Sequence, residues 1–482
     1  METNRLIGRK EECERLTRCL NEIDAQLVIL YGRRRVGKTY LINRFFEGKF
    51  DFRFTGIFEE VKAVQLKNFT NELSRQTGIQ YDVPKNWTDA FGLLRTYLEN
   101  LPKENKKIVF FDEMPWMDTK NSGFLSAFEW FWNDWGSTCD NLVFIVCGSA
   151  TSWMSEKIAN NKGGLFNRQT CSIYLKPFNL SEVEKYLESR QIYWSRYDIA
   201  QCYMIMGGIP FYLRLLDPKY DFNVNIDRLF FKLKGELWNE FNHLYQTLFS
   251  NSEKYIQIVE TIEKKKSGLT RTEISDKTGI ATNGKLTKML NDLVDSGFLR
   301  KYPFYDKKKK ETIYQVSDYY TLFYLRFIKD NYGKDEHAWS NMNDNPKRRA
   351  WAGLTFEQLC KDHINEIKQK LGISGVLSET STWYIKGSQS DMEDSKGAQI
   401  DMVIDRRDHV VNLCEIKFSV NEFEIDKNYD MAIRNKIDAF NRDTNCRKTI
   451  QVTMITTYGI KNNKYRGIVG KEVVLDDLFQ SI

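Results

Sequence analysis

Short apolar runs alternate with helical patterns over the first 180 residues. Runs at 27–31, 50–56, 108–111, 142–147 and 172–175 are dense in Val, Ile, Leu and Phe and read as buried strands. Between them apolar residues recur at helical spacing, as in 40–46. That alternation predicts a parallel sheet covered by helices. From 181 to 250 the pattern is helical, broken at Gly207-Gly208-Ile209-Pro210. From 253 to 317 it predicts a helix, then a short capped helix at 270–278, a turn at Gly279, a second helix and a hairpin. Leu286, Met289, Leu290, Leu293 and Val294 form one apolar face of that second helix, and Gly297 stops it. Residues 319–346 read as a helical bridge whose Asn- and Asp-rich end is the expected linker. From Trp351 onward a helix, strands, a helix near 431–440 and final strands form a new unit.

The length of 482 residues exceeds one ordinary core. The pattern divides it into 1–180, 181–250, 251–318, 319–350 and 351–482. A hydrophobic content of 41% with 28% charged residues excludes a disordered chain. The net charge of +6 permits a nucleic-acid partner without arguing for one. Nine scattered cysteines show no zinc-ligand or redox spacing and read as buried thiols of a reducing compartment. No signal-peptide pattern or membrane-length apolar run is present, so a cytoplasmic protein without membrane contact is expected.

Between the first strand and its helix lies Gly32-Arg33-Arg34-Arg35-Val36-Gly37-Lys38-Thr39. Its glycines, lysine and threonine fit the phosphate-binding loop of nucleoside triphosphatases. Gly32 and Gly37 let the backbone N–H groups turn toward phosphate oxygens. Lys38 reaches the β- and γ-phosphates and Thr39 offers its hydroxyl to Mg²⁺. Expected nucleotide contacts run from Gly32 through Arg33, Arg34, Arg35, Val36, Gly37, Lys38 and Thr39 to Tyr40 at the helix start. The competing reading is a plain glycine turn. The strand at 108–111 ends in Asp112-Glu113. Strand ends face the crevice of an open α/β sheet, so Asp112 is expected to hold Mg²⁺ and Glu113 to polarise the attacking water. Ser149, after the next strand, senses the γ-phosphate or orients the water, or is a loop serine. Arg168 neutralises transition-state charge, in cis or from a neighbouring subunit, or is a solvated loop arginine.

Ile7-Gly8-Arg9-Lys10-Glu11-Glu12, the glycine loop, Phe111-Asp112-Glu113, Arg168 and Gly207-Gly208-Ile209-Pro210 together resemble the archaeal-type ATPases of the AAA+/STAND assemblage. The resemblance covers about the first 250 residues. It implies an α/β P-loop NTPase with a helical lid, ATP as ligand, and Gly8, Arg9 and Pro210 as nucleotide contacts. A helix stop is the alternative for 207–210.

The segment 251–318 resembles a winged helix-turn-helix, with Lys285 and Lys288 on its second helix and Lys307-Lys308-Lys309-Lys310 in the wing. Such a module can lay a helix in the DNA major groove and its wing on phosphates, or serve as a rigid connector. In the last unit, Gln399-Ile400-Asp401-Met402-Val403-Ile404-Asp405 and Val410-Val411-Asn412-Leu413-Cys414-Glu415-Ile416-Lys417 read as strands around a turn. Paired as a hairpin, they put Asp401 nearly opposite Glu415, with Lys417 on the same face. Two carboxylates there can hold Mg²⁺ or Mn²⁺, and the lysine can position water or offset phosphate charge. The arrangement is similar to the PD-(D/E)xK nucleases, of restriction-endonuclease-like α/β fold. That resemblance implies Asp401, Glu415 and Glu357 of the first helix as metal ligands and Lys417 as a catalytic residue. Three readings stay open: a nucleotide-controlled enzyme acting on DNA, an ATP-driven switch or scaffold that binds without cutting, and a simple NTPase whose partner supplies the function. A homo-oligomer is expected if Arg168 acts in trans.

Overall fold

Strands that are apolar at every position need cover on both faces, and the first half of the chain supplies it. The computed structural model describes residues 6–159, 163–165, 168–303, 305, 312–331, 333–385 and 397–480. It divides into two compact units, 1–177 and 178–482.

In the first unit, β1 (Gln26–Tyr31), β2 (Phe52–Thr55), β3 (Lys107–Asp112), β4 (Leu142–Gly148) and β5 (Cys171–Tyr174) form one sheet in the order β2-β3-β4-β1-β5. All pairings are parallel. All five expected strands are present. Phe54, Phe69, Phe91, Phe111, Phe124, Phe128 and Trp87 pack together in one core. Ring contacts such as Phe91 on Phe131, 5.0 Å between centroids, add attraction beyond burial. Helix α1 (Lys10–Asn21) precedes β1, and helix α2 (Lys38–Phe45) follows the glycine loop.

The second unit begins with the helices Leu180–Ser189 and Arg196–Met206. After the shorter helices Pro210–Leu213, Phe222–Ile226 and Glu240–Leu248 come Ser252–Glu263, Arg271–Thr278 and Gly284–Asp295 with a small antiparallel sheet. That sheet joins β6 (Leu269–Thr270), β7 (Leu299–Tyr302) and β8 (Ile313–Val316) in the order β6-β8-β7. Thr270 and Glu273 form a reciprocal cap at the start of Arg271–Thr278. The lysine run 307–310 lies outside the described residues. A second five-stranded sheet closes the unit. It holds β9 (Ser378–Ile385), β10 (Ala398–Arg406), β11 (Val410–Lys417), β12 (Thr449–Thr456) and β13 (Lys471–Val474) in the order β13-β12-β11-β10-β9. The β9-β10-β11 pairings are antiparallel and the β11-β12-β13 pairings parallel. The helix Lys427–Thr444 connects β11 to β12.

The stretch 319–350, expected as a helical linker, carries buried aromatic residues. Tyr320, Phe323 and Trp339 are fully buried, and the Trp339 ring packs edge-on against Trp351 at 5.6 Å. The Arg348 guanidinium lies 3.9 Å from the centre of the Trp339 ring. The Asn and Asp residues of this stretch hold local turns and a helix start. Asn345 accepts from Lys347 N at 2.8 Å and caps the helix Pro346–Asp362, while Asp335 accepts from His337 N at 2.9 Å in a local turn. The helix therefore begins before Trp351. All nine cysteines are free thiols, and Cys13, Cys139 and Cys446 are half-buried where full burial was expected. No helix among the described residues is long and apolar enough to cross a membrane.

Because Trp339 is core, Trp339→Ala should cost about 3–5 kcal/mol of stability in urea unfolding. A midpoint shifted by less than about 0.5 kcal/mol, as for a surface position, would return this segment to linker status.

Candidate functional site

The loop after β1 is built on two left-handed glycines with different duties. Gly32 has φ 146°, and a Cβ there would stand 2.5 Å from the Leu175 carbonyl oxygen, so only glycine lets the loop pass β5. Gly37 has φ 91° with nothing within 4 Å of an added Cβ, so its open side leaves room for a ligand. Lys38 opens α2 and is buried. Its Nζ donates to the carbonyls of Gly32 and Arg33, both at 2.9 Å. Burial pushes the ammonium below its ordinary range, while Cys147, Glu113 and Asp112 pull the other way. Arg9, at φ 60° and buried, donates to the Lys176 carbonyl at 2.7 Å and to the Val36 carbonyl at 3.2 Å. It therefore clamps the loop through protein carbonyls. Gly8 is left-handed at φ 65°, and Tyr40 is exposed beneath the Arg44 guanidinium. Arg33 and Val36 are buried, Arg34 is half-buried, and Arg35 adopts φ 71°.

The strand order sets the remaining groups beside the loop. With β4 between β1 and β3, the C-terminal ends of all three strands share one edge. The Thr39 hydroxyl donates to Asp112 Oδ2 at 2.9 Å. This hydroxyl and carboxylate fit a magnesium ion in donor type. Glu113 takes φ 47°, and its Oε2 accepts from the Ser149 amide at 3.0 Å and the Ser149 hydroxyl at 2.9 Å. Ser149 is thus bound to the candidate base. Arg168 lies elsewhere. It is exposed in the turn before β5, next to Thr170, whose amide donates to Leu27 at the start of β1. A parallel strand begins at the edge opposite the loop, so the topology works against a cis role. Pro210 lies in the second unit as the first residue of the helix Pro210–Leu213. Gly207 ends the preceding helix, its amide donating to Tyr203 O at 2.7 Å, as a helix stop requires.

A second cluster forms on the C-terminal sheet. The β10–β11 register pairs Met402 with Cys414, and one further step puts Asp401 across from Glu415. The β9–β10 pairing shifts between Ile400 and Val403, and such a bulge re-aims the side chains beside it. Asp401 Oδ2 accepts from Ile416 N at 3.0 Å. Lys417 Nζ stands 3.6 Å from Asp401 and 3.7 Å from Glu415. Glu415 also receives Lys436 at 2.6 Å and the Tyr429 hydroxyl at 3.0 Å. Glu357 is buried on the helix Pro346–Asp362, and its Oε1 meets Lys266 Nζ at 2.9 Å. Burial, then the neighbouring Asp401 charge, raises the Glu357 carboxyl above its ordinary range.

Glu357, Asp401 and Glu415 were expected as a converging ligand set. Among the described residues, no group of three or more His, Cys, Asp or Glu side chains stands close enough to hold a metal ion. The physical reason is charge: each carboxylate is matched to an ammonium group instead. Sequence reasoning missed Lys266, Tyr429 and Lys436. Tyr429 and Lys436 are seven residues apart on one helix, two turns on one face, and that spacing was a usable signal. Lys266 had only the run Lys264-Lys265-Lys266 to mark it.

Residues 6–216 match a family described as an ATPase domain predominantly from Archaea. An uncharacterised protein of Methanocaldococcus jannaschii is 24% identical over 391 residues, 80% of this chain and 83% of that protein. An uncharacterised ATP-binding protein of the same organism is 63% identical over 43 residues, 9% of this chain and 73% of that one. The Walker-type ATPase of Pyrococcus abyssi, 18% identical, matches with a TM-score of 0.50 over 67% of this chain and 96% of its own, a likeness of fold. Through residues 6–216, this chain belongs to the family of ATPase domains found predominantly in Archaea.

Proposed function

We propose that this ATPase uses ATP binding and hydrolysis to set the state of its second unit, which carries a nuclease-like domain acting on DNA. The observation that carries the ATP half is the meeting of Lys38, Thr39, Asp112 and Glu113 at one sheet edge. Lys38 would leave the Gly32 and Arg33 carbonyls for the β- and γ-phosphate oxygens. Thr39 and Asp112 would hold magnesium, which supplies positive charge at the phosphates. Glu113, once released from Ser149, would orient and deprotonate the attacking water. By family resemblance, Gly8, Arg9 and Pro210 would contact the nucleotide. The placement of Arg168 favours supply from a neighbouring copy, in a homo-oligomer.

The winged-helix reading of 251–318 would present Lys285 on the helix Gly284–Asp295 to nucleic acid, while Lys288 already pairs with Asp292 at 3.4 Å. The nuclease reading rests on Lys417 Nζ standing within 4 Å of both Asp401 and Glu415. One observation favours the second reading, a switch whose C-terminal domain binds without cutting: Lys266, Lys417 and Lys436 already balance the three carboxylates. The free thiols suit a reducing, cytoplasmic setting.

Lys38→Ala should lower ATP turnover by about 100-fold or more in a phosphate-release assay. Normal turnover in that variant would overturn the loop assignment. Glu113→Gln should keep ATP affinity in calorimetry while slowing hydrolysis about 100-fold. With Mn²⁺ present, wild type should nick supercoiled plasmid and Asp401→Ala should not. Intact plasmid with wild type, with and without ATP, selects the non-cutting switch.

A further inference from the structure

One lysine beside the carboxylates of the C-terminal sheet has no acid of its own. Lys361 follows Glu357 by one turn on the helix Pro346–Asp362. Lys266, Lys417 and Lys436 already take Glu357, Asp401 and Glu415. Lys361 forms no ion pair among the described residues, and its Nζ rests 4.8 Å from the centre of the Tyr302 ring. Burial pushes this ammonium below its ordinary range, while Glu357 pulls it back up. An enclosed ammonium without a paired anion is costly, and binding an anion relieves that cost.

Lys361 stands in a groove between two modules. The middle module, 251–318, supplies Lys266 and Gln315, and the C-terminal part supplies Glu357, Lys361, Tyr384 and Gln399. The walls are fastened to each other. The Tyr319 hydroxyl donates to Asp362 Oδ2 at 2.5 Å, Arg300 pairs with the same carboxylate, and the Gln358 amide donates to the Ser317 carbonyl. Gln399 lies two residues before Asp401 on β10, so the groove leads to the carboxylate cluster. The charged side chains of this stretch are two ammonium groups, Lys266 and Lys361, and one carboxylate, Glu357. Glu263 and Lys265 line only the far end, and Lys265 is paired with Glu273 at 2.7 Å. Burial, then the Asp401 charge, shifts Glu357 toward its neutral acid, which lowers the repulsion it offers an anion.

We infer that this groove holds the phosphate backbone of a single nucleic-acid strand, with Lys361 and Lys266 as its phosphate contacts and the Tyr384 ring beside its bases. The inference rests on the nucleic-acid reading of the second unit, and it requires no metal ion. A basic groove with an aromatic wall is the arrangement that single strands bind. It assigns the contact surface to the seam between the modules, so strand affinity depends on how the two are docked.

The test is fluorescence anisotropy of a labelled single-stranded DNA oligonucleotide with the full-length protein, in EDTA and over a range of salt concentrations. Lys361→Met keeps the aliphatic stem and removes the charge. It should weaken binding about tenfold and reduce the salt slope by about 0.7, the loss of one phosphate contact. Lys266→Met, at a side chain 53% exposed, should act in the same direction. Both variants should keep the wild-type near-UV circular dichroism. Wild-type affinity and salt slope in Lys361→Met overturn the inference and leave the nucleic-acid reading standing. Should Lys361→Met lose the wild-type dichroism, Lys266→Met decides by the same two readouts. No binding by wild type overturns the nucleic-acid reading, and the inference falls with it.

Discussion

A buried ammonium group has to find oxygen atoms, and the first unit is arranged around that requirement. Lys38 satisfies it with the carbonyls of Gly32 and Arg33, members of its own loop. Those carbonyls point inward because the backbone enters left-handed territory at Gly32 and Gly37. Gly32 is further pressed against Leu175, so the loop is shaped by β5 as well as by the strand it follows. Arg9 reaches the same loop through the Val36 carbonyl and ties in the segment before α1. The lysine is therefore held by weak, exchangeable partners, from which phosphate oxygens could take it.

The second unit solves a related problem with a different balance. Its carboxylates are buried or nearly so, and each is offset by a lysine whose backbone comes from a different element: β11, the helix Lys427–Thr444, or the middle module. Buried ion pairs of this kind add little net stability but make removal of one partner costly. Aromatic packing holds the surrounding modules in register. Tyr319 and Tyr320 belong to the stretch after β8, yet Tyr320 donates to the Leu237 carbonyl at 2.7 Å and Tyr203 packs on Tyr319 at 5.4 Å. The middle module, the helices that begin the unit and the C-terminal sheet are thus tied together through rings and a few buried polar contacts.

Much of this was legible along the chain. The five strands of the first unit were visible because a strand covered on both faces must be apolar throughout. The hairpin of β10 and β11 was visible for the same reason, and its alternation already set Asp401 near Glu415. Three features were not legible. Asp335 holds a local turn and Asn345 caps a helix beside buried tryptophans, and composition alone cannot separate such local bonding from a tether. Arg168 precedes a strand, but only the parallel direction of β5 shows that this is the edge opposite the loop. Lys266 is one lysine among many until folding lays it on Glu357.

The sequence by itself determined the local pieces: strand, glycine loop and helix around Lys38, acids at the end of β3, and paired carboxylates on a hairpin. These follow from backbone freedom at glycine and from the periodicity of burial, which act over a few residues. Tertiary structure alone decided which pieces meet. The insertion of β4 between β1 and β3 brought Ser149 to Glu113, and the docking of the middle module brought Lys266 to Glu357. The reason is physical: charge balance and close packing between distant segments depend on where chains cross in space, and no short-range pattern encodes that crossing.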